Sequence, residues 1–237
     1  MSTRFKHAYL ARLAEHAERY DEMTEFMKQV VNEGTELDLE ERNLLSAAYK
    51  NAVGQRRSSW RVVASLQQKA NASGDAEGAT RAEDYRTKVE GELNEICQAV
   101  LSLLEEKLVP GSSGGEPKVF YLKMAGDYYR YIAEFSADSK KDQAAQNARR
   151  CYEQGMAAAV TDLPVTNPVR LGLALNFSVF YYEVLKNLDA ACQMARKAFE
   201  EAIPELDHVS EDSYKDSTLI MQLLRDNLNL WTAEADQ

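Results

Sequence analysis

An all-α fold follows from three observations: helix-forming residues dominate, apolar residues recur at three- and four-residue spacing, and no segment alternates as a strand would. Only 5 prolines and 11 glycines are spread over 237 residues, so few positions interrupt a helix. With 45% apolar and 28% charged residues, the chain has enough core-forming material for one large or two small packed domains.

The punctuation divides the chain into about nine helices. Gly34 closes the second. Asp38 followed by Glu41 is a capping-box pattern that opens a long third helix running to about residue 70. The small, polar segment NASGDAEGAT, residues 71–80, reads as its stop. A fourth helix carries Tyr85, Val89, Leu93, Ile96, Val100 and Leu104 on one face and ends at Pro110 and the GSSGG stretch. Further helices are predicted over about 117–137, 141–160, 168–186, 188–204 and 211–232, with Pro164, Pro168 and Pro204 at the turns. Short connections make consecutive helices antiparallel, and no 34-residue period marks a tetratricopeptide array.

Charge narrows the function. The balance of 28 basic against 38 acidic side chains gives −10, which disfavours nucleic acid or an anionic membrane as the main partner. Any basic site must be local. Cys97, Cys151 and Cys192 are odd in number and far apart, so they read as buried thiols rather than a disulfide framework. The charged start MSTRFKHAYL lacks a signal-peptide core, and no run of about 18 apolar residues occurs, so a cytoplasmic protein with access to the nucleus is expected.

Two helical faces break the core rule. On the third helix Leu45, Tyr49, Ala52 and Val63 share the buried stripe, while Asn43, Lys50, Gly54, Arg57 and Arg61 share the opposite side. On the fifth, Lys123, Asp127, Arg130, Tyr131 and Glu134 form a second mixed-charge stripe beside Tyr128 and Tyr129. Each alone reads as a solvated surface; together they suggest a site. The segment LGLALNFSVFYYEVL, residues 171–185, is almost wholly apolar yet carries Asn176 and Glu183 on one side. The last helix has one apolar face of Met221, Leu224 and Leu228 and another of Leu219, Leu223 and Leu230, with Asn227 among them. A helix apolar on two sides is either central in the core or offers one side to a ligand.

Four segments resemble the 14-3-3 family. RNLLSAAYKNAVG (residues 42–54) is similar to its first signature, with Ala47 where Val is commoner, and YKDSTLIMQLLRDNLNLWT (214–232) to its second, departing at Asn229. KVFYLKMAGDYYRYIAE (118–134) and NPVRLGLALNFSVFYYE (167–183) also resemble family sequence. The resemblance implies a single domain over 1–237 with nine antiparallel helices. About 1–107 would supply dimerisation and the floor of an amphipathic groove, and about 117–232 the remainder. It implies a non-enzymatic adaptor that needs no cofactor or metal and binds phosphoserine or phosphothreonine segments of other proteins.

Carried over residue by residue, the resemblance assigns Lys50, Arg57, Arg130 and Tyr131 to the phosphate. It assigns Asn176 and Asn227 to the peptide backbone, and Asp127 and Glu183 to orienting the cations. Asn43, Arg61 and Lys123 line the groove, and Leu175, Val179, Leu219, Ile220, Leu223, Leu230 and Trp231 form its apolar wall. Two guanidiniums, an ammonium and a phenol suit a dianion. At the dimer seam it implies apolar contacts from Leu13, Ala17 and Tyr85 and cross-subunit ion pairs Arg19 with Glu92 and Glu22 with Lys88. Ser59, in the basophilic kinase pattern RRSS, lies by that seam. Ala125 stands where many members carry a second lysine, and Pro204 predicts an early end to the eighth helix.

Two other classes remain open at this stage. A tetratricopeptide-like scaffold would bind unphosphorylated peptides. An enzyme would need the carboxylates Asp127, Glu134 and Glu183 around a metal, or Cys97 as nucleophile. His7, His16 and His208 are remote from the conspicuous faces, no HExxH, GxSxG or P-loop pattern occurs, and the cations nearest those carboxylates favour ion pairs over a divalent metal.

Overall fold

A computed structural model of the chain describes residues 3–34 and 36–235, except the side chains at 212, 234 and 235. The described residues form nine helices and no strand. By contacts the chain divides into two compact units, Met1–Gly111 and Ser112–Gln237.

The first unit holds α1 (Thr3–His16), α2 (Tyr20–Asn32), α3 (Leu39–Ser73) and α4 (Ala76–Leu103), each packed on its neighbour in sequence. The predicted capping box is formed at the start of α3. Glu41 N–H donates to Asp38 Oδ1 at 2.8 Å, and Asp38 N–H donates to Glu41 Oε2 at 3.1 Å. Two backbone donors at the exposed helix end are thereby satisfied.

The stop predicted over residues 71–80 is far shorter than that. α3 continues to Ser73, the chain reverses over Gly74 and Asp75, and α4 starts at Ala76. Gly74 takes φ +76, with Asp75 N–H bonded to Ala70 O at 3.0 Å and Gly74 N–H to Asn71 O at 3.2 Å. The Asp75 carboxylate then accepts from Gly78 N–H at 2.9 Å and caps α4. The remaining small residues sit inside helices because one glycine and one aspartate complete the turn.

Pro110 does not end α4 by exclusion. The helix widens at Leu104–Leu108, where Val109 N–H reaches Leu104 O, and a last turn Val109–Gly111 absorbs the proline. The core of this unit is built from Met23, Met27, Val30, Leu45, Tyr49, Leu93 and Leu104, all essentially inaccessible. Ala52 joins them, while Val63, near the far end of α3, is only half-buried.

The second unit holds α5 (Gly115–Phe135), α6 (Asp138–Asp162), α7 (Pro168–Glu183), α8 (Leu188–Ala202) and α9 (Glu211–Ala235). Asn167 caps α7, accepting from Val169 N–H at 2.8 Å and Arg170 N–H at 3.2 Å, with Pro168 in the first turn. α7 ends three residues before its predicted limit, because Lys186 turns at φ +53 and Asn187 caps α8 through Ala190 N–H at 3.0 Å. α8 stops at Ala202 and tightens into the 3-10 segment Ile203–His208, which contains Pro204. The expected early end is therefore present.

α7 is the hub of this unit, packing against α5, α6, α8 and α9. Two apolar clusters result. One gathers Val119, Tyr152, Leu173, Phe177 and Phe180. The other gathers Leu171, Ala195, Met221, Leu224 and Trp231. All three cysteines are free thiols; Cys97 and Cys151 are buried as expected, and Cys192 is half-buried.

Candidate functional site

The charged stripe of α5 converges on one buried carboxylate. Asp127 accepts from Lys123 Nζ at 2.9 Å, from Tyr152 O–H at 2.6 Å and from Asn176 Nδ2 at 2.8 and 2.9 Å. Burial by itself would raise its pKa, but the Lys123 ammonium, the Arg130 guanidinium and these hydrogen bonds outweigh it, so Asp127 is held below the ordinary carboxylate range.

Arg130 lies beside it with 10% of its side chain exposed. Its Nε donates to the Tyr152 oxygen at 3.3 Å, one terminal nitrogen approaches Glu183 Oε2 at 3.4 Å, and the other stands 3.8 Å from Asp127 Oδ1. The guanidinium carbon sits 4.8 Å from the centroid of the Tyr131 ring, a cation-π distance. Burial disfavours the charge, yet the surrounding groups raise the Arg130 pKa, so the cation is retained. What results is a permanent positive charge flanked by two phenols, Tyr131 and Tyr152, and two carboxylates, Asp127 and Glu183. A guanidinium so held can give charge-assisted hydrogen bonds to an anion.

The apolar wall is split by the structure. On α9, Leu219 is 60% exposed, Leu223 44% and Leu230 56%, while Met221 and Leu224 on the other face are buried. Ile220 and Asn227 lie between, half-buried, and on α7 Leu175, Asn176 and Val179 are half-buried while Glu183 is exposed. Trp231, expected in the wall, is instead core: it is 2% exposed and stacks on Tyr182 at 5.0 Å. One residue beyond Leu230 advances about 100° around the helix, which turns the indole inward.

On α3 of the first unit, Lys50, Asn43 and Arg61 are exposed and Arg57 is half-buried, whereas Leu45 and Tyr49 face the core. The two-sided reading of this helix thus matches its burial. Elsewhere in the unit Leu13, Ala17, Ser59 and Tyr85 are exposed. Ser59 Oγ donates to Gln55 O at 3.1 Å, and the Lys88 ammonium lies 6.0 Å from the Tyr85 ring. Within the chain Arg19 pairs with Glu22, and Glu92 lies 3.5 Å from Arg56, which also bonds Asp21 at 2.7 and 2.8 Å.

Sequence reasoning missed Tyr152 and Gly126. Tyr152 sits on α6, outside the four segments that carry the resemblance, and no spacing rule links it to Asp127, 25 positions earlier. Gly126 reads as a helix-weakening residue until the ring above it is seen.

The family model for 14-3-3 proteins matches residues 10–232. The chain belongs to the 14-3-3 family. It is 55% identical over 237 residues to the 14-3-3-like protein B of Hordeum vulgare, covering 99% of this chain and 90% of that one. It is also 55% identical to the 14-3-3-like protein GF14 omicron of Arabidopsis thaliana, with 99% and 93% covered. A 14-3-3-like protein of Helianthus annuus is 56% identical, with 98% and 91% covered. As a member of the 14-3-3 family the chain is a phosphoprotein-binding adaptor with an all-α fold.

Among the described residues no group of three or more His, Cys, Asp or Glu side chains is placed to hold a metal. Burial pushes the Cys97 thiol up to about 12, which removes the thiolate at neutral pH. No helix among the described residues is long and apolar enough to cross a membrane.

Proposed function

We propose that the 14-3-3 chain reads phosphoserine and phosphothreonine through Lys50 and Arg57 of α3 together with Arg130 and Tyr131 of α5, and acts by binding alone. The observation that carries this reading is Arg130. A guanidinium nine-tenths removed from solvent, held in place by Asp127 and Glu183 and laid over a phenol ring, gains most from a ligand that brings a negative charge of its own. A phosphate of about −1.5 to −2 supplies that charge, whereas an unmodified serine supplies none.

The half-buried amides Asn176 and Asn227 are the backbone anchors in this reading, and Asn43, Arg61 and Lys123 contribute polar rim. Leu175, Val179, Ile220 and the exposed Leu219, Leu223 and Leu230 take apolar side chains of the client. Specificity is then mostly main-chain, anchored by phosphate. Anisotropy titrations of one peptide, phosphorylated and not, test it: a large preference for the phosphorylated form is expected, and equal affinity overturns the assignment.

The adaptor works as a dimer in this reading, with like or related chains, through Leu13, Ala17 and Tyr85 and the charges Arg19, Glu22, Lys88 and Glu92. The exposure of Leu13 and Tyr85, 48% and 56%, supports an apolar seam there. Two linked phosphosites on one client would gain about 10² to 10⁴ in avidity from paired sites. A cytoplasmic and nuclear location fits such clients.

A further inference from the structure

We propose that Tyr152 is a positioning residue for Arg130: its hydroxyl stands between the guanidinium and Asp127 and keeps the two from closing on each other. The inference rests on the reading of Arg130 as a phosphate ligand.

An arginine three residues after an aspartate on one helix can swing into a two-bond pair with it, the strongest form of that contact. Here it does not. The nearest approach is 3.8 Å, beyond hydrogen-bond range, because the Tyr152 O–H already donates to Asp127 Oδ1 at 2.6 Å and its oxygen takes the Arg130 Nε–H at 3.3 Å. Asn176 and Lys123 occupy the rest of the carboxylate at 2.8 to 2.9 Å. A closed pair would spend the N–H groups of the fork on a fixed internal charge. The phenol instead satisfies Asp127 with a neutral donor, so that one terminal nitrogen of Arg130 reaches the exposed Glu183 at 3.4 Å and the other stays 3.8 Å from Asp127, outside hydrogen-bond range. Burial and the adjacent carboxylate push the Tyr152 pKa well above its ordinary value, so the donor proton stays.

The ring reaches this place through Gly126. A Cβ there would lie 2.6 Å from Tyr152 Cε1 and 2.7 Å from Cδ1, distances no real contact tolerates. The ring has little room to retreat, being stacked on Phe177 at 5.2 Å and packed on Phe180 at 5.6 Å. Glycine at position 126 is therefore a spatial requirement of the site, one residue before the aspartate it serves.

Tyr152→Phe keeps the ring and removes only the hydroxyl. Phosphopeptide affinity should fall about tenfold, the worth of one charge-assisted hydrogen bond, while affinity for the unphosphorylated peptide is unchanged. The Nε–H resonance of the Arg130 side chain should shift in the free protein, which a general loss of packing would not single out. Gly126→Ala should reproduce the affinity loss with a lower melting temperature, and each variant is assayed where circular dichroism shows it folded. Arg130→Lys separates the two readings. If that variant binds phosphopeptide as well as the parent, the phosphate assignment fails. If it binds weakly while Tyr152→Phe binds normally, or if Tyr152→Phe weakens both peptides equally or leaves the Arg130 resonance in place, the positioning role alone is overturned.

Discussion

Leu223 and Leu224 are neighbours on α9 with opposite fates: the first is 44% exposed and the second is fully buried. The pair decides whether the second apolar face of this helix is surface or core, because the same substitution can be made on both sides. Leu224→Asp should unfold the second unit, since a buried unpaired carboxylate costs several kcal/mol. Leu223→Asp should leave helicity and melting temperature nearly unchanged and still impair peptide binding. Circular dichroism melts with a binding titration check both, and a Leu223→Asp variant that unfolds would make that face core.

The anion site predicts a graded series. Arg57→Ala and Arg130→Ala should each weaken phosphopeptide binding by ~1.5–3 kcal/mol, and Lys50→Glu should be worse because it places a repelling charge. Arg130→Ala should also lower stability, as it leaves Asp127 with one cation fewer. Titration calorimetry and thermal melts on the same preparations separate the two effects.

Asp127 gives the fold a pH signature. Its folded pKa lies below the ordinary 3.8, so its contribution to stability is complete above that value and disappears as pH falls through the lowered one. Asp127→Asn should therefore melt below the parent at neutral pH, with the gap constant down to about pH 5 and closing below about pH 4. A gap that widens on acidification would contradict the sign of the shift.

Gly74 tests the α3–α4 turn. No atom lies within 4 Å of a Cβ built there, so Gly74→Ala meets only the strain of φ +76. A loss of about 1 kcal/mol is expected, seen as a lower urea midpoint with unchanged slope and unchanged peptide affinity.

Ser59 is the expected control point of dimerisation. Its exposed hydroxyl donates to the Gln55 carbonyl of its own helix, and a phosphate added there would meet, at the proposed seam, apolar contacts and acids such as Glu92. Sedimentation should show a dimer for the unmodified and Ser59→Ala forms and a shift toward monomer after phosphorylation. An unmodified monomer would refute the dimer, and an unchanged phosphorylated dimer would refute the switch.

The residue pattern by itself determined the helices, their order and most of their faces, because helical periodicity, capping pairs and prolines act within a few residues of one another. The Asp38 and Glu41 box, the buried stripe through Leu45 and Tyr49, and the two apolar sides of α9 were all legible in this way. The tertiary structure alone decided what crosses between helices. That Trp231 turns into the core against Tyr182, that Tyr152 stands between Asp127 and Arg130, and that Gly126 makes room for its ring depend on which side chains from distant segments meet. Local rules are silent there, since the energy of a buried charge or a packed ring is set by neighbours that the chain brings together only on folding.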